Sequence, residues 1–156
     1  MSEVGSNETA ALRLLVVDDE RSHRLKLTDI LASEGFRVTA CATAEEALRH
    51  FESAEVDVAV VDLRLPDLHE KALMDRLSEF ADDVPIVLYT GFASLHTAQD
   101  AVNIGAFAYV EKSVDPSELI GHVHRAVETR LKRRVGQLEA AVAERTKELN
   151  ESHNRL

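Results

Sequence analysis

The sequence predicts an α/β fold, a doubly wound parallel sheet of five strands carrying an extended C-terminal helix. Five short runs rich in Val, Ile and Leu recur along the chain, and stretches of helical length separate them. The runs are apolar at nearly every position, as strands covered on both faces must be, whereas a half-solvated sheet would alternate. Several of them stop on a polar or charged side chain. In an open α/β sheet that carboxyl-terminal edge is where loops converge on a rigid scaffold.

Met1–Ala11, with Gly5, Ser6, Asn7 and Thr9, has no apolar period and reads as a flexible leader. Leu12–Val17 is the first strand and runs into Asp18-Asp19-Glu20. Ser22 is the expected cap of a helix reaching about Glu34, with Leu25, Ile30 and Leu31 inward and Gly35 as a left-handed stop. Phe36–Cys41 is the second strand. Thr43 with Glu46 forms a capping-box pattern for a helix over Ala44–Ser53 that turns Ala47, Leu48 and Phe51 to one side. Val56–Val61 is the third strand and ends on Asp62. A helix over Glu70–Phe80 follows, with Leu73, Met74 and Leu77 on its apolar face. Pro85–Thr90 is the fourth strand. Ser94–Ile104 is a helix with small inward residues, Ala98, Ala101 and Val102, closed by Gly105. Ala108–Lys112 is the short fifth strand.

Composition narrows the function. With 156 residues, 45% of them hydrophobic, and a mean hydropathy of -0.16, the chain supports one compact domain and an appendage. No apolar run approaches the ~20 residues of a membrane span, and the N-terminus lacks a signal-peptide pattern, so a cytoplasmic protein is expected. The single Cys41 excludes an intrachain disulfide and reads as a buried strand residue. The net charge of -10 is uneven: residues 1–115 hold 10 Lys and Arg against 22 Asp and Glu, while residues 116–156 hold 8 against 6. So acidic a domain repels DNA phosphates, and no nucleic-acid partner is expected.

Four strands deliver Asp18 and Asp19, then Asp62, then Thr90, then Lys112 to one edge. Two carboxylates about 4 Å apart repel by roughly 4 kcal/mol at an effective dielectric of 20, so three together raise a pKa or call for a cation. Mg2+ suits them, because it takes a few carboxylate oxygens and keeps positions for water or phosphoryl oxygens. Lys112 would meet the remaining phosphoryl charge, and Thr90 with the Gly91 amide could donate hydrogen bonds to it.

Leu-Val-Val-Asp-Asp-Glu at 15–20, Val-Val-Asp-Leu-Arg-Leu-Pro at 60–66, Leu-Tyr-Thr-Gly at 88–91 and Gly-Ala-Phe-Ala-Tyr-Val-Glu-Lys at 105–112 stand in the order and spacing of a known family. From Leu12 to about Arg130 the chain resembles the receiver (response-regulator) domain of two-component signalling, a CheY-like, flavodoxin-like fold with strand order 2-1-3-4-5. The resemblance implies that Asp62 is the phosphoacceptor, taking a phosphoryl group from a histidine kinase or phosphotransfer protein. It implies that Asp18, Asp19, Asp62 and the backbone carbonyl of Arg64 hold Mg2+. Thr90 and Lys112 would register the phosphate, and Tyr109 would be the switch aromatic that turns inward with Thr90.

Plainer readings stand beside these. Tyr109 can be a strand aromatic packed on the fourth helix, Thr90 an ordinary strand end, and Lys112 a solvated charge. A haloacid dehalogenase-like phosphatase would need an Asp two residues after the nucleophile, where this chain has Arg64. Without an acid or base there an acyl phosphate persists, so at most slow self-hydrolysis is expected and the chain is not a conventional enzyme. Two departures from the family pattern concern loops. Ser113 follows Lys112 where the family has a cis proline, and a cis bond before a non-proline residue costs roughly 3 kcal/mol. Glu70 stands where it usually has glycine, which bears on the loop Leu65–Lys71. His69 there reads as solvated.

Pro116 and Ser117 open a helix with only Gly136 interrupting it, at a cost of about 1 kcal/mol. Leu119, Ile120, Val123 and Val127 can cover the sheet. From there Leu131, Val135, Leu138, Val142, Arg145, Leu149, Ser152 and Leu156 alternate steps of four and three, the pattern of a two-stranded parallel coiled coil over residues 131–156 that would make a homodimer. Arg145 and Ser152 weaken that seam. Glu144-Arg145-Thr146-Lys147-Glu148-Leu149 resembles the signalling helix preceding sensory or kinase modules, which implies the N-terminal part of a larger protein such as a hybrid sensor histidine kinase. The alternative function is a receiver-like dimerisation module insensitive to phosphorylation.

Overall fold

The computed structural model describes residues 11–91, 94–112 and 115–154. Five strands form one parallel sheet in the order β2-β1-β3-β4-β5: β1 Arg13–Val17, β2 Arg37–Cys41, β3 Val58–Val61, β4 Ile86–Thr90 and β5 Ala108–Glu111. Helices α1 Arg21–Ser33, α2 Ala44–Ser53, α3 Glu70–Ser78, α4 Leu95–Asn103 and α5 Pro116–Asn154 alternate with them. The doubly wound α/β architecture is therefore as the apolar runs predict, and the order 2-1-3-4-5 is as the resemblance implies.

Alternation along the strands divides the core. Leu15, Val17, Ala59, Val61, Ile86 and Leu88 pack with Leu73, Leu77 and Ala101 of α3 and α4. Leu14, Val16, Val58, Val60, Val87 and Val110 pack with Leu27 and Leu31 of α1 and with Leu119, Val123 and Ala126 of α5. Central β1, β3 and β4 are thus buried on both faces, which explains their unbroken apolar runs. Gly35 and Gly105 both have positive φ, +97° and +82°, where a Cβ would be strained, and they end α1 and α4.

Several local expectations are corrected. Ser22 does not cap α1: Glu20 is the N-cap residue and makes no side-chain cap bond, while the Ser22 hydroxyl donates to the Glu20 carboxylate. Leu25 faces solvent at 52% exposure, and the inward residues are Leu27 and Leu31, one helical turn apart and met by α5. On α4, Ala101 is buried but Val102 is 76% exposed, because one step round a helix leaves the buried stripe. Thr43 caps α2 by accepting the Glu46 N–H at 3.2 Å, but the reciprocal box is closed at Ser94 and Thr97 on α4. The third helix stops at Ser78, short of Phe80. Cys41 is buried, and burial pushes its thiol up to about 11. The Lys112–Ser113 bond, the leader through residue 10 and Leu156 lie outside the described residues.

At the sheet's amino-terminal edge, α5 is tied down where it leaves the domain. Arg130 Nη1 donates to Asp57 Oδ1 at 2.9 Å and to the Val56 carbonyl at 3.4 Å, and Asp57 Oδ2 accepts the Arg13 N–H at 2.7 Å. Beyond this point every residue of α5 from Leu131 to Ser152 is exposed.

Candidate functional site

Parallel pairing brings the ends of β1 and β3 side by side. The ladder continues past Val17 and Val61, with the Asp18 N–H donating to the Cys41 carbonyl at 3.0 Å and the Asp62 N–H to the Val17 carbonyl at 2.8 Å. Both aspartates are thereby held by backbone on the carboxyl-terminal edge and enclosed, at 1% and 6% exposure. Asp19, next along, is exposed. One carboxylate oxygen from each of Asp18, Asp19 and Asp62 lies within 4.8 Å of the others.

Each buried carboxylate is held by donors. Asp18 Oδ1 accepts the Glu20 N–H at 2.9 Å, and Asp62 Oδ1 accepts the Arg64 N–H at 3.0 Å. Lys112 reaches across from the end of β5, its Nζ 2.7 Å from Asp62 Oδ2 and 2.9 Å from Asp18 Oδ2. The Lys112 N–H donates to the Thr90 carbonyl at 2.8 Å, so β4 and β5 present Thr90 and Lys112 together. Thr90 is buried, and the aliphatic stem of Lys112 runs past Gly91.

Burial pushes the Asp62 carboxyl up, and the Lys112 hydrogen bond and the Arg64 N–H only partly offset it; the Asp18 charge adds to the rise. Burial works against the Lys112 ammonium too, yet the hydrogen bonds to Asp62 and Asp18 outweigh it and its pKa is raised. Seen from Lys112 the pairing gains, and seen from Asp62 burial costs more than pairing returns. The two short contacts favour a charged lysine, with one cation shared by two buried carboxylates and a third nearby. The cluster remains short of positive charge, and a hard cation with oxygen ligands fits it.

Tyr109 is half-buried on β5, and its hydroxyl bonds the Thr97 hydroxyl and accepts the Ser94 N–H at 3.4 Å, so it is pinned to the cap of α4. Arg64 is exposed, its guanidinium 3.5 Å from the Glu70 carboxylate. Of the seam residues, Leu131, Val135, Leu138, Val142 and Leu149 are 48% to 66% exposed on one continuous helix, away from the acidic cluster.

Three nearby groups carried no sequence signal. Asp67 accepts the N–H groups of Ala44 and Glu45, both at 2.9 Å, which fastens the loop after Asp62 to the start of α2. His69 is exposed as expected but also caps α3, Nδ1 accepting the Lys71 N–H at 3.3 Å. His23 Nδ1 lies 3.5 Å from Lys112 Nζ, on the wall of a 310 Å³ cleft that Lys26, Tyr89 and Asp115 also line. The three clustered carboxylates announce themselves at strand ends, whereas the Asp67 and His23 contacts join residues far apart in the chain.

Fold and edge together define a class, an α/β domain with an acidic pocket and one lysine at the switch point of a five-stranded sheet. The family model for the response regulator receiver domain matches residues 14–124, and the chain belongs to that family. It is 32% identical over 136 residues to Regulatory protein AtoC of Escherichia coli (strain K12), covering 86% of this chain and 30% of that protein. It is 31% identical over 112 residues to DNA-binding transcriptional regulator NtrC of Proteus hauseri, covering 72% of this chain and 24% of that protein. Among solved structures, a CheY-like receiver domain protein from Methanospirillum hungatei JF-1 matches with a TM-score of 0.74 at 30% identity, over 79% of this chain and 98% of its own. The non-phosphorylated HemR receiver domain from Leptospira biflexa matches with a TM-score of 0.68 at 25% identity, over 74% of this chain and 94% of its own. The chain thus spans under a third of the two curated relatives.

Proposed function

We propose that Asp62 takes a phosphoryl group from the phosphohistidine of a histidine kinase or phosphotransfer protein, in the cytoplasm, and that α5 relays the result as a dimerising helix. The observation that carries this reading is the meeting of Asp18, Asp19 and Asp62 within 4.8 Å, with Lys112 on two of them. A carboxylate oxygen of Asp62 attacks phosphorus, the P–N bond breaks and the imidazole leaves with its electron pair. Mg2+ held by Asp18, Asp19, Asp62 and the Arg64 carbonyl would supply charge to screen the phosphoryl oxygens. Lys112 gives the transferred group a fixed ammonium, and the buried Thr90 stands beside it on β4.

Among the described residues no acid or base follows Asp62 at the position of Arg64, so the product is built to last rather than to turn over. The conformers that the phosphate separates differ around α4 and α5, and only its differential stabilisation of one of them can shift the population. We assign no nucleic-acid contact to this domain, on the ground of its acidic charge. Incubation with acetyl phosphate and Mg2+ should add one phosphoryl group by mass spectrometry, absent in Asp62→Asn. Light scattering with and without beryllofluoride then separates this reading from a phosphorylation-insensitive dimerisation module. An unmodified mass together with an unchanged assembly would establish the module instead.

A further inference from the structure

We propose that the projecting part of α5 pairs with a second copy of this chain in parallel and in register, each Arg134 facing Glu139 of the other copy. The inference rests on the dimerising role given to α5 and specifies its geometry. With Val135, Val142 and Leu149 at heptad position a, and Leu131, Leu138, Arg145 and Ser152 at d, the first half of the seam has β-branched residues at a and leucines at d, the choice that favours two strands in a parallel coil. Arg134 then falls at g and Glu139 at the following e, the two positions that meet across a parallel interface.

The charges point the same way. The neighbours of Glu139 three and four residues away are Val135, Gly136, Val142 and Ala143, and those of Arg134 are Arg130, Leu131, Gln137 and Leu138. Neither side chain therefore has an opposite charge within reach on its own helix. Lys132, one step from the seam, differs in that it pairs with Glu128 at 3.2 Å within the helix. Arg134 and Glu139 are exposed, and their complements lie only across the seam. An antiparallel pairing that overlays Leu131 on Leu149 and Leu138 on Val142 brings Arg134 to Glu148, but it sets Glu139 against its own copy and Arg145 against Val135, so only the parallel pair answers Glu139 with a cation. In the parallel pair Arg145 does meet its copy, with Glu148 three residues on to answer the charge.

The test uses the full chain. Sedimentation should show a dimer, and Arg134→Glu and Glu139→Arg should each weaken self-association by about tenfold or more, the double exchange restoring it. The two single variants, mixed, should form a heterodimer in preference to either homodimer. Val135→Cys and, separately, Leu149→Cys should each cross-link to themselves on oxidation, while buried Cys41 stays unreacted. A dimer in which neither cysteine cross-links, or in which the charge exchange fails to restore association, overturns the register alone. A chain that stays monomeric at every concentration overturns the dimerising role itself, and the exposed seam then serves a different occupant.

Discussion

Replacing Lys112 by methionine keeps the stem and deletes the one cation shared by Asp18 and Asp62. The lysine side chain is 13% exposed and its two partners 1% and 7%, so solvent cannot stand in for the charge. Removing one partner of a buried ion pair costs about 3–5 kcal/mol. A ceiling is set by the alternative of protonating one aspartate, which from an ordinary value near 3.9 costs about 4 kcal/mol at pH 7 and about 1.5 kcal/mol at pH 5. Burial already raises the Asp62 carboxyl, and deleting the lysine removes the hydrogen bond that partly offsets this. The contribution of Asp62 is therefore fully present below its unfolded value and lost as pH rises through the folded one. Urea unfolding in chelator should show Lys112→Met weaker than the parent by about 3–4 kcal/mol at pH 7 and by less than half of that at pH 5. Millimolar Mg2+ should restore part of the loss, since a ligand at a hundred times its Kd adds about 2.7 kcal/mol. A deficit equal at both pH values, or below about 1 kcal/mol at pH 7, would refute the shared-cation account.

Asp67→Ala removes both acceptors from the start of α2 and should cost about 1 kcal/mol. Burial, the largest single influence, raises the Asp67 pKa, but the Ala44, Glu45 and Asp67 amides together outweigh it and lower it overall, so this stability is present above the unfolded value. It fades as pH falls through the folded one, and urea midpoints of parent and variant should converge in acid, below the ordinary carboxylate range. Tyr109→Phe cuts the links to Ser94 and Thr97 and should speed hydrogen exchange at the first turn of α4 with Asp62 still phosphorylated; unchanged exchange there would show that the hydroxyl anchors nothing. Leu77→Ala, at a fully buried position, should lower unfolding free energy by 2–5 kcal/mol, roughly, and a loss under 1 kcal/mol would contradict its place in the core.

The sheet was legible because strands buried on both faces leave unbroken apolar runs, and Gly35 and Gly105 mark the helix ends through a backbone requirement that sequence displays directly. The carboxylate cluster was legible for a related reason, since parallel neighbours with matched lengths must bring their last residues together. Amphipathic detail was harder. Leu25, Leu27, Ile30 and Leu31 crowd α1 with aliphatic choices, and only the arrival of Leu119 and Val123 from α5 decides that Leu27 and Leu31 go inward. Val102 and Ala101 are adjacent in sequence and differ by a turn of about 100°. Asp67 looks like any loop aspartate, because the amides it holds come from residues 23 and 22 positions earlier. Its role is a tertiary fact with no local pattern.

Because α5 runs unbroken from Pro116 to Asn154, its first turns and its far end belong to one stiff rod, gripped at Arg130 by Asp57. The 24 residues past that grip extend about 36 Å at 1.5 Å each, so a tilt of about 10° at the base sweeps the tip through about 6 Å. A displacement too small to unpack the domain thereby arrives magnified at whatever the tip touches, with the Arg130–Asp57 contact acting as the fulcrum.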